Sequence, residues 1–183
     1  MSWLALLLPL LGCASWATET LPDVPQSQLV LKRAQGLMFL DGQPFDGQSV
    51  STYPDGQLRE RASYRAGRRE GAREFWYPNG QLSSASTYAD GKEQGVKRTW
   101  YSNGVLRTEG ALVMGVADGV YRQWYETGQP FKEMRLEMGQ EVGLQRAWRE
   151  NGAIYSNYEV INGRVFGLKR AKLCVELDEG VAP

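Results

Sequence analysis

Residues Gln94–Ala117, QGVKRTWYSNGVLRTEGALVMGVA, read as one unit of a repeat. The unit holds a Gly, a Trp-Tyr pair, a Ser-Asn-Gly turn, a Leu and a second Gly turn. Its three glycines, Gly95, Gly104 and Gly115, each belong to a series with a step of 24 residues. The first series is Gly47, Gly71, Gly95, Gly119, Gly143 and Gly167. The second is Gly56, Gly80, Gly104, Gly128 and Gly152, and the third is Gly67, Gly91, Gly115, Gly139 and Gly163. Sixteen of the 21 glycines sit on this lattice, with no slip over five units beginning at 47, 71, 95, 119 and 143. A fixed period of this length means that one supersecondary unit is copied and stacked along the chain.

Composition narrows the function. The 183 residues are enough for one ordinary domain. Lys plus Arg equals Asp plus Glu at 21 each, so no net field draws the chain to nucleic acid or to an anionic membrane surface. Histidine is absent, which removes the commonest general base and the commonest metal ligand. The two cysteines, Cys13 and Cys174, form no CxxC motif. No paired carboxylates recur at a spacing suited to acid/base work, and the glycine turns lack the following helix that a phosphate loop requires. The chain is therefore expected to be non-enzymatic, with no cofactor and no metal.

The N-terminus carries an export-like segment. Leu4–Leu11 is an eight-residue apolar run, long enough for a signal h-region and far too short to span a bilayer. Leu10-Leu11-Gly12-Cys13 resembles a bacterial lipobox, which implies cleavage before Cys13, lipidation of that residue and an outer-membrane lipoprotein facing the periplasm. A cut after Ala17, with Ser15 and Ala17 as the small residues, is the alternative. No Lys or Arg precedes the apolar run, a departure from both patterns. The expected organisation is a signal peptide over 1–17, a polar tether over 18–28, a repeat domain over 29–175 and a loose tail over 176–183. Cys174 lies in the last strand-like stretch of the domain and is expected to be a buried thiol.

Turn chemistry sets the register. Tyr53-Pro54-Asp55-Gly56 and Tyr77-Pro78-Asn79-Gly80 suit a type I turn followed by a left-handed Gly, a three-residue hairpin loop with a G1 bulge. A two-residue Asn-Gly loop is the rival. The longer loop pairs Trp76 with Leu82, Trp100 with Leu106 and Trp148 with Ile154, and carries on to pair Ala72 with Ser86, Val96 with Gly110 and Leu144 with Tyr158. The shorter loop would split Trp and Leu onto opposite faces. Phe131 and Tyr155 do not fit, since each follows the Leu position. Tyr88-Ala89-Asp90-Gly91 is read as a second turn of similar chemistry. The expected fold is all-β: an elongated, single-sheet antiparallel meander of stacked 24-residue hairpins, touching only neighbour to neighbour. Its open edge strands invite self-association.

The segments Trp-Tyr-Pro-Asn-Gly-Gln-Leu at 76–82, Trp-Tyr-Ser-Asn-Gly-Val-Leu at 100–106 and Trp-Tyr-Glu-Thr-Gly-Gln at 124–129 resemble the MORN-repeat variant of YwqK-type antitoxin proteins. The opening Asp41-Gly42-Gln43-Pro44-Phe45-Asp46-Gly47 is also similar to that family's entry, and the likeness covers about residues 37 to 170. The chain departs from the pattern at Thr52 (Trp in later units), Pro130 (Leu expected) and Arg149 (Tyr expected). The resemblance implies a protein-binding role with a toxin as partner.

Two faces are candidates for that role. Trp76, Trp100, Trp124 and Trp148, with Leu58, Leu82, Leu106 and Ile154, are expected to form the structural core of the repeat. The opposite side carries Tyr53, Tyr77, Tyr101 and Tyr125 in a column, flanked by Gln57, Gln81, Gln129, Arg59 and Arg107, a composition suited to an interface. The basic run Arg65–Arg73 reads as a solvated loop. The favoured expectation is an exported repeat protein that binds a protein partner, an antitoxin or immunity protein. The alternative is a cell-envelope lipoprotein that holds glycan or peptidoglycan on its aromatic face. Membrane-lipid binding by the repeats themselves is weakened by the balanced charge.

Overall fold

The computed structural model describes residues 23–169. Sixteen strands follow one another: β1 (Asp23–Pro25), β2 (Val30–Lys32), β3 (Leu37–Leu40), β4 (Gln43–Pro44), β5 (Gly47–Thr52), β6 (Leu58–Arg65), β7 (Arg68–Trp76) and β8 (Leu82–Ala89). They continue as β9 (Lys92–Trp100), β10 (Leu106–Val113), β11 (Val116–Trp124), β12 (Pro130–Glu137), β13 (Gln140–Glu141), β14 (Gly143–Trp148), β15 (Ile154–Ile161) and β16 (Arg164–Leu168). The only helical piece among the described residues is a 3-10 turn at Gln26–Gln28.

From β5 to β16 the strands form one open antiparallel meander, with the two-residue β13 also paired to β12. This is the expected hairpin ribbon, with two additions at its start. First, β1 pairs in parallel with β5, Asp23 opposite Gln48 and Pro25 opposite Val50. Residues 23–25, within the segment expected as a polar tether over 18–28, are thus paired into the sheet. Second, β2, β3 and β4 make a separate three-stranded sheet, so the ribbon is not the only sheet.

The three-residue loop is present at every Trp-Tyr turn. At Tyr77–Gln81 the Tyr77 N–H donates to Gln81 O (2.8 Å) and the Gly80 N–H to Tyr77 O (2.9 Å). Trp76 therefore faces Leu82, Trp100 faces Leu106 and Trp148 faces Ile154. Beyond that pair a second bulge slips the register by one. Arg73, not Ala72, lies opposite Ser86; Ala111, not Gly110, opposite Val96; and Glu159, not Tyr158, opposite Leu144. The extra residue is the one after the Leu position, which explains the misfit of Phe131 and Tyr155. Because a one-residue slip exchanges faces, Tyr64, Tyr88 and Tyr158 lie on the side away from the tryptophans.

The second turn also differs from expectation. Asp90 and Gly91 both have positive φ (48° and 80°), and Ala89 pairs with Lys92. That is a two-residue type I′ loop, whose twist suits a tight hairpin. Ala66, Met114, Met138 and Asn162 hold the same left-handed position in the other units.

Burial follows the slipped register. The buried apolar residues are Phe39, Phe45, Ala62, Tyr64, Tyr88, Ala147, Tyr158 and Val160. The densest cluster, Phe45, Ala62 and Tyr64, sits where the small sheet covers the start of the ribbon, joined by Val24, Leu29, Met38 and Leu40. The four tryptophans are only half-buried and Ile154 is exposed, so the expected Trp core is a partly open row. A single-layer sheet has no second layer to cover both faces.

Candidate binding faces

The tyrosine column is built into the scaffold. Tyr53, Tyr77, Tyr101 and Tyr125 each donate their hydroxyl to the backbone carbonyl of the next unit's Trp, at Trp76, Trp100, Trp124 and Trp148, over 2.8, 2.9, 2.9 and 2.9 Å. The carbonyl ends a strand just before a turn, where no ladder partner remains, and the phenol reaches it from one unit back. Their flanking residues serve the same stacking. The Gln57 N–H donates to Asp55 Oδ1 (3.0 Å) and the Gln81 N–H to Asn79 Oδ1 (3.1 Å), fixing the turn backbone. The Asn79 amide donates across to Ser102 O (2.8 Å). The Gln81 amide lies against the next turn, where a Cβ on Gly104 would meet its Oε1 at 3.1 Å. Arg59 donates from Nε to Ser51 Oγ (3.3 Å), and the Arg107 guanidinium lies 5.5 Å from the Tyr101 ring centre. Gln129 is exposed. Phe131 packs on Tyr125 with ring centres 4.9 Å apart.

The opposite hairpin end is tied in the same manner by another set. Ala66, Asp90, Met114 and Met138 N–H groups donate to the side chains of Asp46, Glu70, Gln94 and Asp118, over 2.7, 2.8, 3.0 and 3.4 Å. Both ends of each hairpin are thereby fastened to the neighbouring unit.

The Trp-bearing face is free of such duties and has three parallel rows. Alternation along β9, β11 and β14 places Trp100, Arg98 and Val96 on one side, as it does Trp124, Arg122 and Val120, and Trp148, Arg146 and Leu144. Val96, Val120, Leu144 and Ile154 are 44, 38, 47 and 52% exposed. Between the Trp row and the aliphatic row runs a ladder of alternating charge. Arg98 donates to Glu109 (2.7 Å), Arg122 reaches Glu109 (3.9 Å) and donates to Glu133 (3.0 Å), and Arg146 donates to Glu133 (2.7 Å). These residues are directly opposite one another across β9–β10 and β11–β12, and across β12–β14. The Arg146 hydrogen bond, against some burial, holds the Glu133 carboxyl below its usual range. The Arg146 guanidinium also lies 5.5 Å from the Trp148 ring centre. Sequence reasoning missed this ladder, although its steps of 11 and 13 residues sum to the repeat period.

The other face carries a more buried polar chain. Arg73 donates to Glu60 Oε1 (2.9 Å) and to the Tyr88 hydroxyl (3.3 Å), and that hydroxyl donates to Glu93 Oε1 (3.0 Å), where Lys97 also donates (2.9 Å). Burial raises the Glu93 carboxyl, but the Lys97 and Tyr88 hydrogen bonds outweigh it and leave it lowered. At the far end of the ribbon, burial and a 2.9 Å hydrogen bond to Glu141 push the Tyr158 phenol up to about 12. These charges are compensated in pairs, as a structural network needs.

No group of His, Cys, Asp and Glu suited to a metal ion occurs among the described residues. No helix there is long and apolar enough to cross a membrane. Cys13 and Cys174 lie outside the described residues. Residues 69–90 and 117–136 match the family model of the MORN repeat variant. Each matched segment spans one Trp-Tyr hairpin, β7–β8 and β11–β12, and the 24-residue lattice carries that hairpin through the other units. No curated protein matches the chain.

Proposed function

We propose that this stack of MORN-variant repeats is a non-enzymatic scaffold that binds a protein partner across its Trp-bearing face. The observation that carries the reading is the exposed row Val96, Val120 and Leu144, with Ile154 opposite Trp148, beside half-buried tryptophans and a ladder in which every Arg already has a Glu partner. Apolar and aromatic rows on either side of charges that are paired rather than stranded form a surface that a protein partner can desolvate. The tyrosine column contributes less than its position suggests, because its hydroxyls are bonded to Trp carbonyls.

The resemblance to YwqK-type antitoxins supports a toxin as the partner, and the lipobox-like segment at Cys13 supports an exported, lipid-anchored chain. Such a chain would neutralise a toxin acting in the envelope. Pull-down from an envelope extract should recover a discrete protein that Val120→Glu plus Leu144→Glu abolishes while the melting temperature holds. Capture unaffected by both changes would refute the face assignment. Binding of the wild type, but not the double variant, to purified sacculi would move the ligand from protein to glycan. Metabolic labelling with palmitate should mark the wild type and not Cys13→Ser, and an unlabelled wild type would refute the anchor.

A further inference from the structure

The basic run Arg65–Arg73 is no free loop: it is the end of β6, a clamped two-residue turn at Ala66-Gly67 and the first part of β7. The Gly67 N–H donates to Phe45 O (2.8 Å) and Gly67 O accepts from the Met38 N–H (2.8 Å). Gly67 has φ of +78°, and a Cβ there would meet Met38 O at 2.7 Å, so the close approach depends on glycine. The small sheet therefore stands directly beside β7 and leaves a cleft of about 430 Å³ between them. This is within the range of small-ligand sites.

The lining divides by chemistry. Leu31, Leu37 and Met38 give an aliphatic wall, and Arg68, Arg69 and Lys92 give a cationic one. Arg68 is paired with Asp90, which also lines the cleft, at 3.0 Å. Among the described residues Arg69 and Lys92 have no carboxylate partner, so the cleft holds an excess of positive charge. Glu70, next to Arg69 in sequence, accepts the Asp90 N–H at 2.8 Å.

Two donors in this wall are buried without a hydrogen-bond partner among the described residues: the Tyr64 hydroxyl and Arg69 Nε. Tyr64 is only 6% exposed, and it sits directly opposite Arg69 across β6–β7. Its ring packs on Phe45, 5.6 Å between centres, and the Arg69 guanidinium lies 5.7 Å from the Tyr88 ring centre. Those contacts hold both side chains in place but satisfy neither donor. Buried donors left unmade cost stability, and two of them facing each other in one cationic cleft point to a missing acceptor.

We propose that this cleft binds an oxyanion, a carboxylate or a phosphate, carried on a short aliphatic body. Tyr64 O–H and Arg69 Nε–H donate to the oxyanion, Lys92 supplies long-range attraction, and Leu31, Leu37 and Met38 cover the aliphatic part. The site is independent of the Trp-bearing face and of the partner proposed for it.

The test is calorimetric titration and thermal shift of the purified full chain with octanoate and octyl phosphate. Octanol serves as the neutral control and inorganic phosphate as the bare head. At least one of the amphiphilic anions should bind and raise the melting temperature, with octanol inert. Tyr64→Phe removes an unpaired oxygen and keeps the ring, so the ligand-free protein should melt no lower than wild type. It should bind the anion about tenfold more weakly, and Arg69→Gln at least as much, the loss expected for a hydrogen bond to a charged acceptor. Preference between the two anions identifies the head group. Failure of both to bind, unchanged affinity in both variants, octanol binding as well, or inorganic phosphate binding as tightly as octyl phosphate would each overturn the proposal.

Discussion

The tyrosine column separates a structural role from a recognition role, and phenylalanine is the substitution that does so. Tyr77→Phe, Tyr101→Phe and Tyr125→Phe each delete one hydroxyl that donates 2.9 Å to a Trp carbonyl of the next unit. The rings stay, so Phe131 keeps its contact with position 125 and Arg107 keeps an aromatic face at 101. What is lost is one half-buried neutral hydrogen bond per site, about 1 kcal/mol each. The three bonds are two strands apart, roughly 10 Å, and share no partner, so their effects should add to about 3 kcal/mol. For a chain of this size that corresponds to a fall of roughly 6–12 °C in melting temperature. Urea denaturation should show a lower midpoint with an unchanged slope. Hydrogen exchange should locate the loss in the turns at Gly104, Gly128 and Gly152, because repeats couple only to their neighbours. Partner capture should survive in the triple variant below its melting range. A triple variant within about 0.5 kcal/mol of wild type, or one that loses capture without losing stability, would refute the stapling argument.

Two further outcomes follow from the ladder and the turns. Glu133 has its folded pKa depressed, chiefly by the Arg146 hydrogen bond, so its contribution is present above the ordinary carboxylate range and lost as pH falls through the folded value. Glu133→Gln should therefore melt below wild type at neutral pH, with the gap closing as pH falls below the ordinary carboxylate range and shrinking in high salt; a gap independent of pH would contradict the ladder. Met138 holds a left-handed φ of 46° that Asn tolerates better, and its side chain is exposed, so Met138→Asn should stabilise by about 0.5–1 kcal/mol in denaturant titration.

The repeat, its period and its first turn were legible because glycine and the Tyr-Pro-Asn-Gly order answer to backbone geometry alone. What lay beyond local chemistry was not. The bulge after the Leu position is occupied by Arg59, Ser83, Arg107, Phe131 and Tyr155 in successive units, a mixture of basic, small and aromatic residues with no shared turn signal. Only the misfit of Phe131 and Tyr155 betrayed it. That slip moved Tyr64, Tyr88 and Tyr158 to the other face, and the expected tryptophan core went with it. The type I′ turns were obscured because Ala66-Gly67, Met114-Gly115 and Met138-Gly139 lack the Asn or Asp that marks such loops; Asp41-Gly42, Asp90-Gly91 and Asn162-Gly163 carry it. The clamp on the Ala66-Gly67 turn is a contact between sheets, and no period in the sequence reports it.

The charge ladder shows that repetition of the backbone does not make the units equivalent. Positions 74, 98, 122 and 146 carry Glu, Arg, Arg and Arg, whereas 61, 85, 109, 133 and 157 carry Arg, Ala, Glu, Glu and Asn. The sign at each lattice position thus reverses between the first hairpins and the rest. Ala85 sits at the reversal, opposite Glu74 on one side and Arg98 on the other. Any charge placed there gains one neighbour and opposes the other, so a small neutral residue is the consistent choice. Asn157 differs, since its one charged neighbour across the ladder is Arg146. Asn157→Glu should accordingly stabilise the chain by roughly 0.3–0.5 kcal/mol at low salt, whereas Ala85→Glu should not stabilise it at all. Equal effects at the two sites would mean that the charges act through the net field rather than through the ladder. If the ladder is what acts, its uninterrupted run from Arg98 to Arg146 sets off β9–β14 as one block of the ribbon, the same block that presents Val96, Val120 and Leu144.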